Sequence, residues 1–269
     1  MKRIVVLNFF PAFTPPGSGG EARYFYLYEH LSRFHDVTLI SHTYPGDGVE
    51  MVEHHNHFRE FRVAKDELYL RLHHQLALEG TGPECSALVC ALAGKEGATR
   101  YHQVCRELLP AADCVIHESP YTLYFDTEFE AVERAPRIYN SYNVESDLLR
   151  QILKGPRVAW YSEFVSELEQ RLACGAELVL ATSDEDATQF AQRFNLSSDK
   201  IRIVHNGYEP DFASFRTVVR DTKDYVVRAV FLGSGSHSPN TEAARLIIHH
   251  IAHAVPDMEF HIAGSVCGH

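Results

Sequence analysis

Short apolar runs alternate with helix-patterned segments along the chain. Arg3–Phe10 (RIVVLNFF) reads as a strand buried on both faces, and it breaks at Pro15-Pro16-Gly17-Ser18-Gly19-Gly20 before a helical pattern opens at Glu21. Val37–Ser41 is a second strand, and the alternating Phe58–Val63 a third. Asp66–Leu78 is helical in pattern, whereas Glu79–Gly97, rich in glycine and small residues, is expected to be irregular. Ala98–Leu109 is helical again, and strands follow at Asp113–His117 and Arg137–Asn140. Trp160, Phe164, Leu168 and Leu172 recur at four-residue spacing and predict an amphipathic helix over 158–173. Glu177–Thr182 is a strand, and Ser183 or Asp184 can cap the helix that runs on to Phe194. Ile201–Val204, one more short strand, leads to His205-Asn206-Gly207-Tyr208.

Beyond that turn the chain is polar and aperiodic, which places a linker at 208–224. Val226–Leu232 then begins the opening unit again. It leads to Gly233-Ser234-Gly235-Ser236, to a helix from about Asn240 and to a strand at 260–264 (FHIAG). Alternating strands and helices predict an α/β fold with a mostly parallel sheet. An N-terminal domain covers 1–207, and the beginning of a second domain covers 225–269. Ligands of such sheets lie beyond the carboxyl ends of the strands. The positions to watch are therefore 14–21, 41–46, 117–121, 140–145, 183–186 and 233–240.

Composition narrows the function classes. The chain has 269 residues, 45% of them hydrophobic and 23% charged, which suits a packed globular protein. A formal net charge of −11 argues against nucleic acid as a partner. It does not argue against an anionic ligand, because a helix N-terminus binds phosphate through backbone N–H groups. The six cysteines form no CxxC pair and have no zinc-ligand spacing with histidine, so they read as reduced thiols of a cytosolic protein. The start Met1-Lys2-Arg3-Ile4 is too quickly polar for a signal peptide, and no apolar stretch is long enough to cross a membrane. His54-His55, His73-His74 and His249-His250 resemble metal pairs, but adjacent residues on a helix point in different directions and chelate poorly.

Three constellations carry candidate chemistry. In Gly17–Arg23 (GSGGEAR), Gly19 and Gly20 let backbone approach a phosphate or sugar phosphate closely, and the next helix aims its N–H groups at it. A tight connection without a ligand is the alternative, and the loop is not a GxGxxG fingerprint. Tyr139–Glu145 (YNSYNVE) sets Asn140, Ser141, Asn143 and Glu145 just past a strand, where such arrays read hydroxyl-rich ligands. Asn143 can equally serve as a helix N-cap. Gly233–Asn240 (GSGSHSPN), with His237 in the loop and Asn240 able to cap the next helix, is either a diphosphate site or an ordinary strand-to-helix turn. Glu118, after the strand at 113–117, can line the same cleft, whereas Asp184 and Asp186 read as cap and surface.

The order of these motifs resembles a GT-B glycosyltransferase of family 4. YNSYNVES at 139–146 is similar to that family's His-Asn-x-Glu segment, and ELVLATSDEDATQF at 177–190 to its last N-domain strand and helix. KIRIVHNGYEPDF at 200–212 resembles the stretch leading into the second domain. AVFLGSGSHSPNTEAA at 229–244 and FHIAG resemble that domain's first two strands. The resemblance implies a Rossmann-like N-terminal domain with a parallel sheet, on the acceptor side, and the beginning of a Rossmann-like donor-side domain. It implies transfer of a sugar from a nucleotide-sugar donor to a glycan, lipid or small-molecule acceptor, with retention and with no metal or other cofactor. Gly19, Gly20, Gly233, Ser234, His237 and Asn240 would meet donor phosphate, and Glu118, Tyr142, Asn143 and Glu145 would lie on the acceptor side. No catalytic residue is assigned. A cytoplasmic location, with peripheral contact at the inner face of the membrane as an option, follows from the same likeness, as does a setting in glycan biosynthesis.

The sequence departs from the family at Tyr142, where the family has a cleft histidine, and at His205, where it has proline. Nothing after 233 matches the family's Arg/Lys pair or its Glu-x7-Glu segment, so the chain is expected to be incomplete and inactive alone. Two other readings stand beside this one: a non-catalytic sugar- or partner-binding module, and a nicotinamide-dependent Rossmann enzyme. The lack of GxGxxG weighs against the second of these.

Overall fold

The computed structural model describes residues 1–82, 85–127, 135–207, 226–235 and 238–268. The chain divides into two compact units, Met1–Tyr208 and Glu209–His269. The expected linker at 208–224 lies outside the described residues.

In the first unit β1 (Arg3–Asn8) is the central strand, buried from Ile4 to Asn8. Parallel partners lie on both sides of it, β2 (Asp36–Pro45) and β5 (Cys114–His117). Its side chains alternate between two cores, as a period of two requires. Ile4 and Val6 join Tyr24 and Tyr28 of α1 (Gly19–Leu31) on one face, and Val5 and Leu7 join the larger core on the other. Beyond β5 the sheet continues in parallel through β6 (Arg137–Asn140), β7 (Leu178–Ala181) and β8 (Ile201–Ile203). Beyond β2 come β4 (Phe58–Lys65), parallel, and β3 (Val49–His55), antiparallel at the edge. β3 escaped the sequence reading because an edge strand needs no apolar run: Val49, Glu50 and Met51 are all exposed.

The stretch expected to be irregular contains a helix. α2 (Glu67–Leu78), capped by Asp66, is followed by α3 (Ser86–Glu96), in which Leu88, Val89, Cys90, Ala91, Ala93 and Gly94 are buried. Burial on nearly every side removes the amphipathic period that marks a surface helix, and small residues let neighbouring elements approach closely. A Cβ on Gly94 would meet Tyr124 Cβ at 3.1 Å. The remaining helices are α4 (Arg100–Leu108), α5 (Glu145–Ile152), α6 (Val158–Gly175) and α7 (Asp184–Phe194), the last capped by Ser183. Of the six cysteines, which are all free, Cys85, Cys90 and Cys105 are buried, Cys114 is half-buried, and Cys174 and Cys267 are exposed. Among the described residues no helix is long and apolar enough to cross a membrane.

The second unit pairs β9 (Val227–Leu232) with β10 (Met258–Ala263) in parallel around α8 (Ser238–Leu246), which runs on into a π-helical turn at Ile247–Ile251. β9 leaves Val230 73% and Leu232 76% exposed.

Candidate functional site

Polar side chains gather where β1, β5 and β6 end. These strands finish in Asn8, His117-Glu118 and Asn140, all fully buried. Helix α1, packed on one face of the sheet, contributes Arg23, Tyr24 and Tyr28. Glu118 is the centre of the cluster. Its carboxylate accepts from Asn140 Nδ2 at 2.7 Å and from the hydroxyls of Tyr28 and Tyr142. Burial pushes this carboxyl up, and the three hydrogen bonds and the Arg23 charge oppose the rise. The phenols of Tyr28 and Tyr142 rise well above their ordinary range through burial and the Glu118 charge, so both remain donors.

Arg23, 5% exposed, ties this cluster to the far end of the unit. Its Nη2 donates to Asn140 Oδ1 at 2.8 Å, and its Nη1 to Val204 O at 2.7 Å and Asn206 Oδ1 at 3.1 Å. A planar guanidinium can reach acceptors on two sides in this way, which an ammonium cannot. Arg23 thus links β6 to the chain leaving β8. On the sequence it was only the polar end of a glycine-rich stretch. The signal that could have singled it out was a long cation one position from Tyr24 on a helix that docks against an apolar sheet.

The loop between β1 and α1 is held at two points. At Ala12, Glu60 Oε1 accepts from the backbone N–H at 2.8 Å and Arg62 Nη2 donates to the carbonyl at 2.9 Å. Burial acts to raise Glu60, but hydrogen bonds from His54, Ala12 and Ser41, with the Arg62 charge, hold it below its ordinary value. At the helix start Ser18 Oγ accepts from Glu21 N, and Glu21 Oε2 accepts from Gly17 N at 2.7 Å. The Tyr142 ring lies beneath Gly20, where an added Cβ would sit 4.0 Å from its Cε1. Gly19 is exposed, with open space around it.

The fold that carries this site is shared with solved structures. The chain is similar to sucrose-phosphate synthase from Thermosynechococcus elongatus, at 10% identity and a TM-score of 0.59, over 99% of this chain and 73% of that one. It is similar to the catalytic domain of starch synthase IV from Arabidopsis thaliana bound to ADP and acarbose, at 10% identity and a TM-score of 0.60, over 98% and 68%. A third likeness is to the UDP-forming α,α-trehalose-phosphate synthase from Burkholderia vietnamiensis, at 12% identity and a TM-score of 0.59, over 98% and 65%. These proteins are GT-B glycosyltransferases. The chain has the GT-B fold. No family model matches the sequence, and no curated protein does.

Within the first GT-B unit the candidates separate. Glu118, Tyr142 and Gly20 come together at the carboxyl end of the sheet, with Glu118 0% exposed and acting on its surroundings through Tyr142. Asn143 is exposed and does not cap α5; the N-cap position is Val144, without a side-chain bond. Glu169 of α6 replaces it. Its carboxylate accepts from Glu145 N at 2.8 Å, from Ser146 N and Oγ at 3.4 and 3.2 Å, and from Tyr139 at 3.0 Å. Glu145 is buried. Desolvation and the charge of Glu169 push its carboxyl up to about 8, against hydrogen bonds from Tyr121 and Asn143.

In the second GT-B unit the helix begins at Ser238, so Asn240 lies in its first turn and does not cap it; Asn240 Nδ2 donates to Ser234 O at 3.2 Å. The Gly233–Gly235 turn is tied to the turn after β10, with Gly235 N donating to Ser265 Oγ at 2.9 Å and Val266 N to Gly233 O at 3.2 Å. His237 lies outside the described residues. Gly264 has φ +97°, and a Cβ there would stand 2.3 Å from Gly233 O. Gly264→Ala therefore combines a left-handed backbone with a clash against backbone, and it is expected to cost at least about 2 kcal/mol in this unit. Hydrogen exchange of the β9 and β10 amides reads this. Unchanged protection would show that the two turns do not depend on each other.

Proposed function

We propose that this chain is a glycosyltransferase, or the part of one, that transfers a sugar from a nucleotide-sugar donor to a glycan, lipid or small-molecule acceptor with retention. The observation that carries the reading is the GT-B fold along nearly the whole chain. The chain spans 65–73% of the length of the three structures named above. The first unit is the acceptor side in this reading, and Tyr142, held by Glu118 under Gly20 at the start of α1, faces the reacting groups. The Gly233–Asn240 segment meets the donor diphosphate, whose growing charge helix N-termini stabilise. The nucleotide sugar is a co-substrate, and no further cofactor is assigned.

A second reading, a non-catalytic binding module, draws support from the bare apolar face of β9 at Val230 and Leu232. One experiment separates the two. The protein is incubated with a panel of UDP-, ADP- and GDP-sugars and mixed acceptors, and nucleoside diphosphate release is followed together with the anomeric form of any product by NMR. Acceptor-dependent release with retained configuration would carry the transferase reading and overturn the expectation that the chain is inactive alone. Nucleotide binding without release would favour the binding module, and no interaction with any nucleotide would reject the transferase.

A further inference from the structure

A pocket of about 180 Å³ opens at the carboxyl ends of β1, β2 and β4, within the first unit. Its walls include Phe9, Phe10, Phe13 and Tyr44, and two nitrogen-bearing side chains, His42 and Lys65, reach it. The remaining polar side-chain groups in its described lining are the hydroxyls of Thr43, Tyr44 and Ser86. Among the described residues the lining holds no carboxylate and no carboxamide.

Two side chains of this pocket have polar capacity that the described residues leave largely unmet. The first is His42. It is 4% exposed, and neither ring nitrogen makes a well-formed hydrogen bond. Its ring packs among aromatics, 4.6 Å from Tyr101 and 5.3 Å from Tyr69. Burial, then the charge of Lys65, hold the imidazole down to about 3, and only Asp66 and the Val63 backbone act the other way. A neutral imidazole offers one donor and one acceptor, and the contact with the Val63 backbone, outside good hydrogen-bond geometry, leaves that capacity poorly met, which in a buried place costs free energy. The second is Lys65. Its Nζ lies 4.8 Å over the Tyr69 ring, and among the described residues no carboxylate pairs with it. Asp66 next to it is already engaged, capping α2 through Tyr69 N and accepting from Arg100 N.

A plain sugar presents hydroxyls on every side and needs paired donors and acceptors around it. This pocket presents aromatic faces, one uncompensated cation and one neutral imidazole. We propose that it seats the acceptor, and that the acceptor is an amphiphile with an apolar or aromatic body and a single anionic group. The body lies against Phe9, Phe10 and Phe13, the anionic group meets Lys65, and His42 reads a neighbouring polar atom. Phe10 joins the pocket to the candidate site, its ring 5.5 Å from Tyr24 and 6.3 Å from Tyr142. The assignment rests on reading the first unit as the acceptor side of a transferase.

The test measures binding and needs no donor. Phenyl phosphate, inorganic phosphate and glucose 6-phosphate are titrated against the protein by calorimetry and ligand-detected NMR. Phenyl phosphate is expected to bind most tightly. Lys65→Met, which keeps the alkyl stem, should weaken it on the order of tenfold to a hundredfold without lowering the melting temperature, as loss of a charge-assisted hydrogen bond does. Phe13→Ala should weaken phenyl phosphate and leave inorganic phosphate unaffected. Equal binding by wild type and Lys65→Met, or no binding of phenyl phosphate, would overturn the site. Tighter binding of glucose 6-phosphate, or equal binding of inorganic phosphate, would overturn the apolar body. A protein that binds phenyl phosphate through Lys65 yet never releases a nucleoside diphosphate keeps the pocket and loses the transferase reading. An active transferase whose acceptor turnover ignores Lys65→Met does the reverse.

Discussion

Arg23→Met lowers the melting temperature of the first unit by roughly 6–20 °C, the equivalent of about 3–5 kcal/mol in a domain of this size. The side chain is 5% exposed and reaches Asn140, Val204 and Asn206 from one guanidinium. Methionine keeps most of the stem packed, so the loss reports the charged head and its hydrogen bonds. Removing the head leaves the Val204 carbonyl and the Asn140 and Asn206 amides without a donor. It also removes the cation that offsets the buried Glu118. A buried carboxylate stripped of its counter-charge either takes a proton or destabilises the fold. Arg23→Lys is expected to recover little, because one ammonium cannot span acceptors on β6 and beyond β8 together. Thermal unfolding followed by circular dichroism checks this, and Glu118→Gln made in the Arg23→Met background isolates the electrostatic part. If charge compensation matters, Glu118→Gln will be less harmful in that background than alone. A melting temperature within about 2 °C of wild type for Arg23→Met would mean that the bonds to Val204 and Asn206 contribute nothing measurable.

Stability of the first unit falls as pH rises from about 4.5 to 8, and Glu145→Gln removes a large share of that fall. The folded carboxyl keeps its proton up to about 8, whereas an ordinary glutamate releases it near 4.5. Between these values the folded state binds more protons than the unfolded chain, so stability declines with pH across the window. The contribution is fully present below the unfolded value and is lost as pH passes the folded one. Its size is on the order of 3 kcal/mol, allowing for the charge coupling to Glu169. Burial pushes Glu169 up as well, but its four hydrogen-bond contacts oppose the rise. Glutamine preserves the neutral shape, so the variant should match wild type near pH 4.5 and exceed it at pH 9. Urea midpoints at several pH values decide the matter, and a difference between variant and wild type that does not move with pH would refute the assignment.

The sheet was legible in the sequence because its strands are buried on both faces. RIVVLNFF, DCVIH and ELVLAT announce themselves as apolar runs, and Ser183 and Asp66 mark helix starts by local chemistry that needs no distant partner. Periodicity failed where the environment was not two-sided. α3 is surrounded, so its apolar residues show no face, and its small residues imitated a loop. β3 is an edge strand with solvent on it, so it shows no run. The candidate site divides in the same way. The glycines at 19–20 and the polar segment at 139–145 could be placed, since the first open the helix after a strand and the second runs off a strand end. What those side chains do was decided by partners far along the chain. Glu118 meets Tyr28, Asn140 and Tyr142, α5 is capped by Glu169 where Asn143 was one candidate, and Arg23 reaches Val204. Local spacing carries no record of such partners, because hydrogen bonds between residues 90 or 181 positions apart exist only once the sheet has brought its strand ends together. Alternation and turn chemistry therefore determined the α/β architecture, while tertiary packing alone decided which polar groups share a buried, low-dielectric cluster and which face a ligand.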